Sequence, residues 1–486
     1  MKRPKATIAV PPIRDFYTTP HRLAALGERI VQGILRRQGW DTTLLQFPRQ
    51  KRHALPLPPA LSHLTPYLLP GEFGPTSFFS RYHRFGPSPE KSAKIILSQN
   101  PDVVFLSCFA FAYADDTLDL AAQLKAQQPS VPVYAGGAGV SVLPEYFLKD
   151  GCVDAVIPGE AETSLPMFLK EKTTANGIYT DSAPFSATSR ASVATVKSNK
   201  KGLWLTTTLS RGCPLKCRFC ANHLTQGRTF RTVPLKDFIS VLMTYPRDLP
   251  VHINFEDDNL LMDKGYFFTA LEAIRHIFPQ VHFSAENGMD YRLLDIDTVD
   301  RLVAAGFRQF NLSMASLSQS ILEDAQRPGE PQHLQEILQH LESKNIPSIT
   351  YFICGLEQDT VETVIQNLRF LASQPTRVGI SLFYAVPGLP GFENPERFMS
   401  TSSHLCAGSA AFPWSESLTT AQMITAFRIA RYINLTRKKQ LRSEDKALLT
   451  RIQKERKLYT YQKVGTGKQM VRPTNTNHTM EGAFLV

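Results

Sequence analysis

The stretch Leu209-Ser-Arg-Gly-Cys-Pro-Leu-Lys-Cys-Arg-Phe-Cys-Ala-Asn-His223 gathers three of the chain's seven cysteines into eight residues. Cys213, Cys217 and Cys220 stand in the spacing C-x3-C-x2-C. Three thiolates can hold three irons of a four-iron cluster and leave the fourth iron open to a small molecule, and an open metal position marks a reactive site. Gly212 and Pro214 suit a tight loop around such a cluster, and Phe219 can shield it from water. The rival reading is a structural zinc, because His223 follows Cys220 by three residues and would complete a Cys3His set. A zinc knuckle folds a small domain by itself, whereas this loop is attached to a larger pattern with its own core.

That pattern extends in both directions. Strand candidates recur at Trp204–Thr208, His252–Phe255, Val281–Ala285, Gln309–Ser313, Ser348–Ile353 and Val378–Tyr384, separated by helical stretches such as Asp295–Ala304 and Leu334–Ser343. These repeats predict a partial (β/α)6 barrel of the TIM type, with the cysteines just beyond its first strand, at the functional end of such barrels. Upstream, Ala6–Val10, Asp102–Ser107, Val131–Ala135 and Val153–Ile157 are near-continuous apolar runs, as expected of parallel strands covered on both faces. With the amphipathic segment Arg22–Gln38 they predict a doubly wound, Rossmann-like sheet. Arg49–Pro89, rich in proline, histidine and aromatics, reads as an insertion over a site. Residues 171–201, mostly Thr, Ser, Ala and Lys, read as a connecting loop. The expected division is a first domain over 1–175, a linker over 176–201, a barrel over 202–391 and a small accessory helical region with a basic tail over 392–486.

Composition bounds the function. A chain of 486 residues allows about two to four domains, and 43% apolar with 20% charged residues is the balance of a folded enzyme. The basic start MKRPKATIAVPP meets two prolines before any secretory apolar region forms. The longest apolar run, Val103–Ala114, falls short of the ~18 residues that span a bilayer. An odd cysteine count without even spacing argues against a disulfide framework. A cytoplasmic protein with reduced thiols and no membrane association is expected. Of the net charge of +11, Arg437–Lys468 alone supplies a surplus of eight, so the excess is chiefly one tail; without a recognisable reading module, no nucleic-acid role is assigned.

The signature C-x3-C-x-aromatic-C after a first barrel strand resembles that of the radical S-adenosylmethionine enzymes, over roughly residues 203–390. The resemblance implies that Cys213, Cys217 and Cys220 bind a [4Fe-4S] cluster whose open iron chelates S-adenosylmethionine, and that one electron from the cluster, delivered by a donor such as flavodoxin or ferredoxin, yields a 5′-deoxyadenosyl radical. It also places cofactor contacts at the strand ends. In Asn254-Phe-Glu-Asp-Asp258, Glu256 and Asp257 would meet the methionyl amino group. In Ser284-Ala-Glu-Asn-Gly288, Glu286 would reach the ribose, and in Cys354-Gly-Leu356, Gly355 would admit the adenine. At the fourth strand, where relatives often carry Glu then Ser, this chain has Ser313-Met-Ala-Ser316, so Ser313 either takes over part of that contact or merely finishes the strand.

The N-terminal segment resembles the cobalamin (B12)-binding domains that precede this barrel in a subset of the family, on Pro101–Ser107, Val133–Gly137 and Val153–Glu160. Ser107, Gly136, Gly137 and Glu160 are the implied cobalamin contacts, although a glycine pair can equally be a tight turn. The motif D-x-H-x2-G, which supplies a lower histidine ligand, is absent, and Asp15 and His21 are spaced wrongly for it. Cobalamin would therefore bind without a histidine, or not at all. His53, His63 and His83 read as surface or packing residues, and Cys108, Cys354 and Cys406 as core. With both cofactors the family resemblance implies C-methylation of an unactivated carbon in a small-molecule or peptide substrate. Ring rearrangement or cyclisation is the alternative chemistry, and a corrinoid sensor or electron-transfer protein the alternative class.

Overall fold

The computed structural model describes residues 3–19, 23–171, 177–178 and 191–484. His21, and with it the expectation placed on its spacing, lies outside them.

Six parallel strands form the first sheet, in the order Gly177–Ile178, Ala155–Ile157, Val133–Gly136, Val103–Ser107, Lys5–Val10 and Asp41–Gln46. The alternation of side chains along a strand decides the layers. Val103 and Phe105 pack with Ile30, Ile34 and Phe168 from helices Leu26–Arg37 and Ala161–Glu171. Val104 and Leu106 belong to the main core, with Ala93, Ile96 and Leu120 from helices Pro89–Leu97 and Ala114–Gln127. Both faces are thus covered, which is why the strands read as unbroken apolar runs. The direction of strand order reverses between Lys5–Val10 and Val103–Ser107, so a ligand crevice is expected at their carboxyl ends.

The second domain contains six parallel strands, Gly202–Thr207, Val251–Phe255, Val281–Ser284, Phe310–Ala315, Ser348–Cys354 and Arg377–Leu382. The ladder thins between the third and fourth, which meet through bridges at Phe283 and Phe307 and at Met289 and Leu312. The outer neighbour of the first strand is Val193–Asn199, which pairs with it antiparallel, so the barrel stays open. This strand falls where the sequence suggested only a connecting loop. Its ordering comes from tertiary contacts: Arg49 donates to the carbonyls of Thr195 at 3.0 Å and Val196 at 2.5 Å, while Ala194 and Val196 pack on Ala24. The far edge is closed by a side chain. Asn434, on helix Thr420–Thr436, donates to the Val378 carbonyl and accepts from the Val378 N–H, both at 2.8 Å, taking the place of a missing strand.

The insertion contributes Arg52–Leu55 and Tyr82–Phe85 to a small antiparallel sheet with Ile13–Asp15. Glu72–Phe73 pairs with Thr460–Val464, which forms a hairpin with Gly467–Val471. The accessory region is therefore not purely helical. A buried bidentate ion pair between Glu72 and Arg428 ties the insertion to helix Thr420–Thr436. Among the described residues no helix is long and apolar enough to cross a membrane.

Candidate active site

The cysteine loop leaves the first barrel strand at its carboxyl end and is held at both feet. Asp257, buried at the end of the second strand, accepts from the N–H groups of Leu209 (3.0 Å) and Ser210 (2.6 Å) and from the Ser210 hydroxyl (2.6 Å). Asp258 accepts from the Gly212 N–H at 2.7 Å and from Asn222 Nδ2 at 2.9 Å. Gly212 is required: its φ is +78° and a Cβ would lie 2.2 Å from the Thr229 carbonyl oxygen. Burial raises Asp257 to about 7 and Asp258 to about 6, a desolvation cost that the loop's N–H donors offset. Asp257, expected to touch a cofactor, and its neighbour Asp258 thus brace the loop that carries the cysteines.

The three thiols are free and unequally covered, with Cys217 the most buried. Burial raises Cys213, and Cys220 to about 11, with Cys217 adding to both shifts, so the sulfurs lie within one another's field and favour the thiolate only with a cation among them. Polar donors stand at two of them: Asn259 Nδ2 is 3.9 Å from Cys213 Sγ, and Arg327 Nη1 is 3.8 Å from Cys217 Sγ. Among the described residues no three His, Cys, Asp or Glu side chains converge on a single ion, and His223 Nδ1 hydrogen-bonds the Cys220 carbonyl at 2.9 Å. His223 is thus turned by its Nδ1 toward the loop backbone. Three unpaired thiols on one short loop, with N–H groups at two sulfurs, are the donor set a cluster with one open iron needs.

Arg327 is the residue that sequence reasoning missed. It is buried, reaches Ser313 Oγ at 2.8 Å and the Ser313 carbonyl at 3.0 Å, and pairs with Asp290 at 3.5 Å. Ser313 is thereby linked to Cys217 through one guanidinium. A lone arginine in Gln326-Arg-Pro-Gly329 carries no periodic signal that could have marked it. Asn254, fully buried, was also missed. Its Oδ1 accepts from Ser284 Oγ (2.9 Å) and the Glu286 N–H (2.8 Å), and its Nδ2 donates to Glu256 at 2.6 Å. It joins the ends of the second and third strands, leaving Glu256 half-buried and the Glu286 side chain exposed. Gly355, at φ +96°, would bring a Cβ 3.1 Å from Met423 Sδ, and its carbonyl accepts from Ser415 at 2.7 Å.

A cavity of about 240 Å3 opens beside the cysteine loop, walled by Arg218 and Phe219, by Leu356 and Phe383 from the fifth and sixth strand ends, and by Arg397 and Trp414. The last two come from the accessory region, which therefore forms one wall of the site.

The first domain meets this loop directly, helix Ala138–Val142 lying against helix Asn222–Gln226. Glu160 forms a fully buried ion pair with Arg231 at 2.7 Å and lies 3.5 Å from Arg211, which in turn holds Glu162 at 2.9 Å. The other residues expected at a cobalamin site also have partners within the chain. Ser107 donates to Glu28 at 2.5 Å. A Cβ at Gly136 would lie 3.2 Å from the Ile157 carbonyl oxygen, and one at Gly137, with φ +105°, 2.7 Å from that of Cys108. Asp15 is buried and accepts from Tyr113 at 2.8 Å and Ser409 at 2.7 Å. His53 is exposed, His63 bonds the Ala410 carbonyl, and Cys108, Cys354 and Cys406 are buried in the core.

Residues 207–371 match the family model of the Radical SAM superfamily, and residues 80–169 that of the B12 binding domain. The chain carries a radical SAM domain behind a B12-binding domain. Over 189 residues it is 23% identical to bacteriochlorophyllide d C-12(1)-methyltransferase of Chlorobaculum tepidum, a match covering 38% of this chain and 41% of that protein. Over 304 residues it is 22% identical to an uncharacterized methyltransferase of Pyrococcus horikoshii, covering 57% of this chain and 65% of that one. The chain thus spans less than two thirds of the length of either curated relative. Among solved structures, the radical S-adenosylmethionine methyltransferase TsrM of Kitasatospora setae, with cobalamin and a [4Fe-4S] cluster bound, superposes with a TM-score of 0.58 at 13% identity, covering 82% of this chain and 75% of that one. The order of the two domains is common to both folds. In the radical SAM domain the three cysteines occupy the loop after the first strand, facing the carboxyl end of the B12-binding sheet.

Proposed function

We propose that the protein is a cobalamin-dependent radical SAM methyltransferase that methylates an unactivated carbon of a small molecule or peptide. One observation carries the reading: the free thiols of Cys213, Cys217 and Cys220 sit on a braced loop between a cavity on one side and the carboxyl end of a B12-binding sheet on the other. The same two cofactors are present in the TsrM structure, and both curated relatives carry the name methyltransferase. Bound here, a [4Fe-4S] cluster with S-adenosylmethionine would supply one-electron cleavage of that cofactor, and cobalamin a transferable methyl group.

The chain's own residues divide the remaining work. The three cysteines hold the cluster, and Asp257 and Asp258 fix the loop that presents them, acting at one remove from the cofactor. Glu256, Glu286, Ser313 and Gly355 border the space left for S-adenosylmethionine at the ends of the second to fifth strands. Phe219, Leu356 and Trp414 line the cavity with apolar surface that excludes water from a reactive intermediate. On the cobalamin side, Ser107 borders the crevice where the strand order reverses, and Gly136 and Gly137 end the neighbouring strand. Asp15 is already engaged by Tyr113 and Ser409, so no side chain of this chain is assigned as a ligand to cobalt. Glu160 acts by pinning the B12-binding sheet to the cysteine loop. We assign the first domain to residues 1–175, the barrel to 202–391 and the accessory region to 392–486, and expect a flavodoxin- or ferredoxin-type donor.

The test is anaerobic reconstitution with iron, sulfide and hydroxocobalamin, followed by reduction in the presence of S-adenosylmethionine. Release of 5′-deoxyadenosine, together with retention of cobalt on the protein, is expected, and the release should vanish in Cys217→Ala. Protein with a full complement of iron and sulfide that releases none, or protein that holds one zinc and no iron, would overturn the reading.

A further inference from the structure

A second cavity, of about 630 Å3, lies far along the first sheet from the cysteine loop. It sits between Gln50–His53, Arg84–Ser88 and the outward face of helix Pro89–Leu97, beside the edge strand Asp41–Gln46. Glu160 and the barrel interface stand at the other end of the strand order, beyond Ala155–Ile157. The helix packs on the opposite face of the sheet from helices Leu26–Arg37 and Ala161–Glu171. The cavity lies at the same, carboxyl end of the sheet as the cofactor crevice, but on the outward side of helix Pro89–Leu97, and none of the residues that border the crevice lines it.

Its lining is of one sign. Lys51, His53, Arg84, Lys91 and Lys94 face it, and no carboxylate does. Lys94 pairs with Glu90 at 2.6 Å, while Lys51, Arg84 and Lys91 have no carboxylate within ion-pair distance among the described residues. Arg84 is half-buried, its side chain donates to the Gly86 carbonyl at 3.4 Å, and it has Arg14 for a charged neighbour. Burial and that like charge both work against its cationic form. Arg52 and Arg81 flank the same small sheet. Concentrating cations without counter-charges destabilises a fold through self-repulsion, unless an anion from outside neutralises them. Beside the charges stand Pro87 and Ile95, the latter 37% exposed, forming a short apolar wall.

We propose that this cavity binds a phosphate-bearing organic molecule of nucleotide size, its phosphates among Lys51, Arg84 and Lys91 and its organic part against Ile95 and Pro87. The volume lies within the range of small-ligand sites, roughly 300–1,000 Å3. The cations stand around one concavity that also carries an apolar wall, which suits a small molecule with both a charged and an organic part. The proposal is independent of the methyltransferase reading and survives its failure.

The test uses the full-length protein, with equilibrium dialysis of ADP, pyrophosphate, adenosine and a single-stranded RNA oligomer. ADP and pyrophosphate are expected to saturate, with adenosine at least about 10-fold weaker, since phosphate contacts dominate. Lys51→Ala combined with Lys91→Ala should weaken ADP at least about 10-fold, while Lys446→Ala with Lys454→Ala, a control pair on the exposed basic helix Ser443–Glu455, should leave it unchanged. Both lysines are exposed, so the double variant retains the fold, and Arg84→Gln gives an independent second measurement. No saturation by ADP or pyrophosphate would overturn the proposal. So would ADP binding indifferent to all three cavity substitutions, or RNA binding that falls equally in cavity and control variants.

Discussion

Glu160→Gln tests the joint between the two domains. The carboxylate forms a buried pair with Arg231 at 2.7 Å and also faces Arg211, with Glu162 and Asp258 as the other carboxyl groups of the cluster. Removing one partner of a buried pair costs about 3–5 kcal/mol, mostly the burden of the charge left behind. Glutamine keeps an acceptor oxygen for Arg231, and Arg211 keeps Glu162, so the lower end, about 3 kcal/mol, is expected. That raises local opening roughly 100-fold. Arg231→Gln should cost a similar amount. The double variant, with no orphaned charge, should cost less than the two singles together, by about 2 kcal/mol of coupling. Urea unfolding of the apoprotein, followed by circular dichroism, gives the cycle. Hydrogen exchange localises it: amides of both 158–171 and 209–233 should exchange faster in Glu160→Gln. Coupling below about 0.5 kcal/mol, or faster exchange confined to 158–171, would refute the idea that this pair holds the cysteine loop.

Gly212→Ala forces a Cβ to within 2.2 Å of a backbone carbonyl at positive φ, so the loop must shift. Iron and sulfide per chain after anaerobic reconstitution should fall to a small fraction of wild type, and full loading would contradict the account of the turn. Arg327→Gln removes a charge-assisted donor from Ser313 and the N–H from Cys217, at a cost of about 1.5–3 kcal/mol. An unchanged urea midpoint would mean that the guanidinium is dispensable. His404 is buried beside Asp116, and although burial opposes its charge, Asp116 raises its pKa above the ordinary value. A raised histidine stabilises the fold fully below the unfolded value of about 6.5 and loses that contribution as pH rises through the folded value. Thermal stability should therefore decline above about pH 6.5 in wild type and decline less steeply in His404→Asn; parallel profiles would exclude the assignment. Asn434→Ala exposes the Val378 backbone groups that it pairs and should lower stability by about 1–3 kcal/mol, as read from the urea midpoint.

What the sequence by itself determined is what local order can encode. Period-two burial fades into continuous apolar runs where helices cover both faces, so the four central strands of the first sheet and the six of the barrel were readable without a structure, whereas the edge strands Asp41–Gln46 and Gly177–Ile178 were not. The three thiols were readable because eight residues of chain cannot carry them apart. Other parts of the site are assembled from residues whose neighbours in the chain say nothing about them. Arg327 reaches Cys217 across 110 positions, and Glu160 reaches Arg231 across 71. Glu256 and Asp257 looked like cofactor contacts because a carboxylate at an apolar strand's end is costly unless used. Only the fold revealed that Asp257, with Asp258 beside it, accepts from the backbone N–H groups of the cysteine loop. Trp414 became a wall of the cavity, and Asn434 a substitute strand, because helix Thr420–Thr436 lies along the barrel's last strand. Such contacts follow from how whole layers pack, a free energy shared among distant residues that leaves no period or motif at any one of them.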